Sequence, residues 1–338
     1  MSLRWKISVL VLVSLCCWEI IVRLFVLSPA KEVFDPDLGY VHAPYAEILR
    51  TYEGYARFSL DKFGLNNDPL PDPLPRNRVL VVGDSFVESY QVMRHENFVS
   101  RLGEQWHDTL LFNAGASATA PDMALAVLER FQPEITPTHL LLGINASDLY
   151  ELLRANDIRN SKGVLKSLQR SQDAMTDFKA LKLSIYAHSA LITHLKWKYE
   201  NEVREWLAES DGRSETKKKR ELSEDKLAKA IERWRFVLQQ LQLSGARVSV
   251  LMMPELDYLA PRQARLAEQQ SRVILAREAE LMGVPVLDSN LIMARDFEQT
   301  GLPAIGFANT SYGRGHINAH GHQVLASWLA SQREVILR

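Results

Sequence analysis

The 338 residues carry 40 Lys plus Arg against 41 Asp plus Glu, a net charge of -1, and 46% of them are hydrophobic. At roughly 100–200 residues per domain, this is one large or two ordinary folded domains and not a disordered chain. No basic surplus exists to drive nucleic-acid binding. The two cysteines, Cys16 and Cys17, both lie in the N-terminal apolar run, which excludes a disulfide framework, a cysteine zinc site and a thiol nucleophile in the remaining chain.

Arg4 and Lys6 precede an apolar stretch from Ile7 to Leu27, interrupted by Glu19 and Arg23. The stretch matches the roughly 20 residues that span a bilayer. Glu19 and Arg23 are one helical turn apart and can pair, which lowers the cost of burying them. The positive flank predicts a cytoplasmic N-terminus and an extracytoplasmic, periplasmic body in a bacterial source. Two alternatives are a signal peptide cleaved near Ser28-Pro29-Ala30 and a lipoprotein. Glu19 and Arg23 argue against the first. Leu15 before Cys16, and Cys16 before Cys17, argue against the second. The predicted organisation is an anchor over 1–30, an extended lead-in over 31–77 and a folded domain over 78–338.

The lead-in has no strong period, and its Pro-rich end, Pro69 to Pro75, predicts a stiff linker. Short apolar strands then follow at Arg78–Val82, Leu110–Asn113, His139–Leu142, Arg247–Met252 and Val284–Leu287. Helical patterns over 95–106, 121–131, 225–243 and 262–282 separate them. Continuous apolar strands alternating with helices predict an α/β fold with a parallel sheet covered on both faces. Pro285 places the fifth strand near an edge. A charged helical insertion is expected over about 150–225. Its pairs Glu200/Arg204, Glu209/Arg213 and Asp225/Lys229 are spaced for a salt-bridged helix face. Its run Lys217 to Arg220 is diluted by acidic neighbours and is expected to be a solvated turn.

Chemistry gathers where the first three strands end. Gly83-Asp84-Ser85-Phe86 follows the first strand, Asn113-Ala114-Gly115 the second and Gly143-Ile144-Asn145 the third. Ligands bind at that edge of an open α/β sheet. Ser85 can present its hydroxyl from the tight turn. The Ser85 and Gly115 N–H groups and the Asn145 side chain are three candidate oxyanion donors. Near the C-terminus stands His316-Ile317-Asn318, followed by Gly321-His322, and His316 can act as base for Ser85.

These four blocks, in this order, resemble those of the SGNH (GDSL-type) hydrolases, over residues 78–150 and 246–335. The resemblance implies a three-layer α/β/α sandwich around a parallel sheet of about five strands, SGNH or flavodoxin-like, here with an N-terminal transmembrane helix and a helical insertion. It implies a nucleophile at Ser85, a base at His316, oxyanion donors at Ser85, Gly115 and Asn145, and no cofactor or metal. The layout also looks like the membrane-anchored members associated with bacterial surface polysaccharides.

The chain departs from that pattern twice. Gly313 stands where the family places the triad Asp, and Ala146 follows Asn145 where an Asp is usual. Loss of the orienting acid costs about 10⁴ in kcat in the protease template. Three readings stay open: a substitute acid at Asp288, Glu255 or Asp257, a Ser-His dyad oriented by a carbonyl, or a degenerate site that only binds. Asp84 is expected to stabilise the turn. His320 and His322 are expected to be loop and helix-cap residues and not metal ligands, and Trp197, Trp206 and Trp234 to be packing residues.

The function expected is a serine esterase acting on acyl, above all acetyl, esters of an exported or cell-surface polysaccharide through an acyl-enzyme on Ser85. Alternatives are an O-acetyltransferase with the same site, a non-catalytic carbohydrate-binding or assembly protein, and a lipid-acting esterase. The expected partners are an acylated carbohydrate, the membrane through the N-terminal helix and a polysaccharide-export machinery, with no nucleic acid.

Overall fold

A computed structural model of the chain describes residues 2–28, 32–35, 38–117, 119–153, 185, 188–199, 222–255 and 262–337. The first helix, α1, is Leu3–Phe25, capped by Ser2. It is long and apolar enough to cross a membrane, and Val22 is its single buried residue. Two antiparallel hairpins follow, β1 (Glu32–Asp35) with β2 (Gly39–His42) and β3 (Glu47–Arg50) with β4 (Ala56–Ser59). The lead-in therefore holds ordered strands that the absence of a long period hid. Ile48, Leu60 and Tyr90 form a small core beneath the second hairpin.

The central sheet is parallel, in the order β6-β5-β7-β8-β9. Its strands are β5 (Asn77–Val82), β6 (Thr109–Asn113), β7 (His139–Ile144), β8 (Arg247–Met252) and β9 (Val286–Asp288). β9, which Pro285 immediately precedes, is indeed an edge strand. Counted within the sheet, the order is 2-1-3-4-5, with its topological switch between β5 and β7.

The helices are α2 (Ser85–Glu88), α3 (Phe98–Gln105), α4 (Met123–Ile135), α5 (Asp148–Glu151), α6 (Ala190–Lys198), α7 (Glu224–Leu243), α8 (Arg262–Leu281), α9 (Asn290–Thr300), α10 (Ala319–Ser331) and α11 (Arg333–Leu337). Alternate strand residues face opposite layers. Leu80, Val82, Leu140, Leu142 and Val250 pack with Val127, Phe131, Trp234, Leu238 and Leu275 from α4, α7 and α8. Val79, Val81, Leu141 and Leu251 pack with Phe98, Leu102, Met293, Leu325 and Leu329 from α3, α9 and α10. These two cores make the three layers.

Of the expected insertion, Asp225 and Lys229 lie on α7. Trp206, the pairs Glu200/Arg204 and Glu209/Arg213 and the run Lys217 to Arg220 lie outside the described residues. Trp234 is wholly buried and donates its indole N–H to the Leu275 carbonyl.

Candidate active site

Ser85 is the first residue of α2, at the carboxyl end of β5 and beside the switch point. Asp84 caps that helix, its Oδ1 accepting the Phe86 N–H at 2.9 Å. The helix sits tightly on the strand ends, and glycines make the space. A Cβ on Gly83 would lie 2.5 Å from Val87 Cγ2, one on Gly143 2.8 Å from the same atom, and one on Gly115 2.3 Å from the Glu88 nitrogen. Three of the motif glycines are thus explained by the approach of one short helix.

His316 precedes α10 and reaches across the sheet edge to Ser85. Its Nε2 lies 2.8 Å from Ser85 Oγ. Its Nδ1 lies 2.6 Å from Glu53 Oε2, and its main-chain N–H donates to Glu53 Oε1 at 2.7 Å. Glu53 stands in the turn between β3 and β4. Burial pushes the Glu53 carboxyl up, but the bonds and charge of His316 outweigh it and hold the group below the usual carboxylate range. Glu53 thus stands where it can orient His316, in a hydrogen-bonded series Ser85–His316–Glu53.

Two loop features admit this acid. A Cβ on Gly315 would lie 2.1 Å from Glu53 Oε1, so the glycine clears the carboxylate's place. Asn309 clamps the turn: its Nδ2 donates to the carbonyls of Thr51 (2.8 Å) and Gly54 (2.9 Å), and its Oδ1 accepts the Gly54 N–H at 2.9 Å.

The acids expected to replace the missing Asp lie elsewhere. Arg272 on α8 donates to Asp288 Oδ1 at 2.6 Å, to Glu255 Oε2 at 3.0 Å and to the Met253 carbonyl at 2.6 Å. Glu255 also accepts the Ala146 N–H. Both carboxylates are held by an arginine that ties β8 to β9, so neither orients His316. Asp257 lies outside the described residues. Gly313, at the family's Asp position, donates its N–H to the Ile305 carbonyl.

The oxyanion donors differ from expectation in one respect. As the first residue of a helix, Ser85 has an N–H with no intrahelical acceptor. Asn145 is 4% exposed and gives one Nδ2 hydrogen to Asp84 Oδ2 at 2.6 Å, leaving the other for a ligand. The Gly115 N–H, however, donates to Asn113 Oδ1 at 2.9 Å. In this structure it is spent within its own strand end, because the Asn113 side chain folds back to join Gly115 and the Val87 carbonyl.

His320 and His322 have structural partners. His320 Nε2 pairs with Asp296 Oδ2 at 2.6 Å. His322 is buried, and its Nδ1 accepts the Phe98 N–H at the start of α3. Among the described residues, no group of three or more His, Cys, Asp or Glu side chains is placed to hold a metal ion.

No family model matches the sequence. No curated protein matches it either. Solved structures match the chain at low identity and low TM-score. An esterase, EstA, from Pseudoalteromonas sp. shares 13% identity, with a TM-score of 0.41, over 76% of this chain and 97% of that one. An acetylxylan esterase, Axe2, from Geobacillus stearothermophilus shares 11% identity, with a TM-score of 0.41, over 77% of this chain and 94% of that one. A member of the lipolytic G-D-S-L family from Veillonella parvula shares 14% identity, with a TM-score of 0.39, over 76% of this chain and 96% of that one. By its own strand order the chain has a three-layer, doubly wound α/β fold, and the motif blocks along the carboxyl edge of its sheet resemble those of the SGNH (GDSL-type) hydrolases.

Proposed function

We propose that this chain is a serine esterase of the SGNH type, acting through an acyl-enzyme on Ser85. The observation that carries the reading is the unbroken relay Ser85–His316–Glu53, with both contacts to the imidazole at hydrogen-bond length. His316 Nε2 takes the Ser85 proton as Oγ attacks an acyl carbonyl. Glu53 stabilises the imidazolium that forms. The tetrahedral oxyanion rests on the Ser85 N–H and the Asn145 Nδ2. His316 then protonates the departing alcohol and activates a water that releases the acyl group.

The acid supplied by Glu53 weighs against a dyad and against a decayed, binding-only site. The substrate class we infer is an acetyl or other short acyl ester of an exported polysaccharide, with α1 as a membrane anchor and the body outside the cytoplasm. A sugar hydroxyl in place of the water would make the same site an O-acetyltransferase. The test is hydrolysis of a short-chain aryl acetate by the full chain in detergent, together with labelling by a fluorophosphonate. Wild type should do both and Ser85→Ala neither. A wild-type protein that neither turns over nor labels would overturn the reading. Labelling without turnover, with acetyl transfer appearing once an oligosaccharide is added, would select the transferase.

A further inference from the structure

Glu19 and Arg23 are the charged groups of α1 beyond Lys6, and both have partners in the segment that begins α6. Glu19 accepts the N–H groups of Ala190 (2.9 Å) and Leu191 (3.0 Å) and the Ser189 hydroxyl (2.8 Å). Arg23 donates to the His188 carbonyl at 2.7 Å and to Glu19 at 2.8 Å. The carboxylate therefore caps the N-terminus of α6, where the helix dipole favours a negative charge. Those partners satisfy groups that would be costly inside a bilayer.

The other end of α6 reaches the catalytic body. The Trp197 and Tyr52 rings stack 4.0 Å apart at 3°, and the Tyr52 hydroxyl lies 2.8 Å from His194 Nδ1. The end of α1 meets the same hairpin. Thr51 Oγ1 donates to the Val26 carbonyl at 2.8 Å, and Ser28 Oγ donates to the Glu47 carbonyl and accepts the Leu49 N–H. Helix α6 thus climbs beside the last turns of α1. Its start lies level with Glu19, about 9 Å short of the end of α1 at 1.5 Å per residue.

We propose that α6 is a second membrane-contacting element, packed on the body-proximal half of α1 and presenting Ile192, Leu195 and Tyr199 to the bilayer interface. This rests on reading α1 as a span. Any element bonded to Glu19 shares the depth of Glu19 in the bilayer. The surface also has interfacial chemistry. Ile192 is 42% exposed, Leu195 57% and Tyr199 56%, and Lys196 and Lys198 stand in the last turn. Aromatic rings and lysines at the edge of an apolar face are what the headgroup region favours. The bilayer surface would then lie against the turn that holds Glu53, so an ester substrate would meet the site at the membrane.

The test uses the full chain with Cys16 and Cys17 replaced by Ala. Single cysteines at Ile192, Leu195 or, as control, the exposed Leu291 on α9 carry an environment-sensitive fluorophore. The protein is reconstituted in phosphatidylethanolamine–phosphatidylglycerol vesicles with or without doxyl-labelled phosphatidylcholine. Each variant must show a cooperative thermal transition. The Ile192 and Leu195 probes should be quenched by doxyl lipid at least twofold more than the Leu291 probe, and protected from aqueous iodide. Glu19→Gln should shift the Leu195 probe towards water while the protein still floats with the vesicles. Flotation with all three probes quenched alike by iodide would overturn the α6 proposal and leave the anchor standing. Probes shielded from both quenchers would also overturn it, in favour of protein contact. Protein extracted from the vesicles by alkaline carbonate would overturn the anchor reading and this proposal with it.

Discussion

Glu53 holds His316 twice, through the ring and through the main chain, although 263 positions separate them in sequence. A side chain held at both points cannot swing without the imidazole following. Glu53→Gln keeps the size but loses the charge that stabilises the imidazolium. It should lower kcat for an aryl acetate by about 10²–10⁴ with KM little changed. Glu53→Asp should recover part of the loss. A kcat for Glu53→Gln within twofold of wild type would remove Glu53 from the mechanism.

Gly315→Ala tests the same contact from the other side. The new methyl would meet Glu53 Oε1, and the φ of +86° at Gly315 already disfavours a side chain. We expect kcat to fall about as far as in Glu53→Gln, while Ser85 still labels with fluorophosphonate, more slowly. Unchanged turnover would mean that the carboxylate can move without consequence.

Asn309→Ala removes three bonds from an exposed side chain that contributes nothing to the core. The turn carrying Glu53 should loosen. Misplacement of about 1 Å can cost about 10² in rate, so kcat should drop about 10- to 100-fold with the unfolding midpoint nearly unchanged. Steady-state kinetics set beside a thermal melt decide this. A large loss of stability with normal kcat would mark Asn309 as a structural residue alone.

Arg272→Met should separate the two groups of carboxylates. Arg272 is 6% exposed in its side chain and holds Glu255, Asp288 and a main-chain carbonyl. Its loss strands Glu255 more than the half-exposed Asp288, at a cost of about 2–4 kcal/mol. Asp288→Asn should leave kcat within about twofold, since the carboxylate faces Arg272 and not the imidazole. Denaturant melts and aryl acetate kinetics on the two variants check both statements.

His322 gives a pH dependence with a definite sign. Burial lowers its pKa from 6.5 to about 3, with the positive charge of Arg101 adding to the effect. The unfolded chain takes up the proton at the ordinary value and the folded chain does not. Stability should therefore fall as pH drops from 6.5 towards 3, by up to about 1.4 kcal/mol per pH unit from this group. In His322→Gln the slope over that window should be shallower by about that amount. Equal slopes in urea melts across the window would show that the residue is solvated.

The sheet was legible because each strand is a short, largely apolar run, and the first three end in a motif. The expected start at Arg78 and the observed start at Asn77 differ by one residue, and Arg247–Met252 is the same in both. Ser85 and His316 were legible for the same reason, since the motif blocks name them. Glu53 was not. It lies in a hairpin of two four-residue strands, too short to show alternation. Its partner stands at the other end of the chain, whereas the strand ends offer Asp288, Glu255 and Asp257. The signal available was negative: Gly313-Arg314-Gly315 leaves the loop before His316 without side-chain bulk on its inner side. No spacing reveals the local competition at Gly115, whose N–H donates to the folded-back Asn113 amide.

Ser85 and His316 lie on the body built around the sheet, while Glu53 arrives on an arm that is joined covalently to that sheet through the stretch between Ser59 and Asn77. The chemistry is therefore divided between two contiguous segments of the chain. A single peptide-bond cleavage in that stretch would leave one piece with Ser85 and His316 and another with Glu53, still gripped by Asn309. Such a nicked molecule is a split enzyme by construction. Its activity would follow the reassociation of the arm with the sheet and could be supplied in trans by residues 1–60.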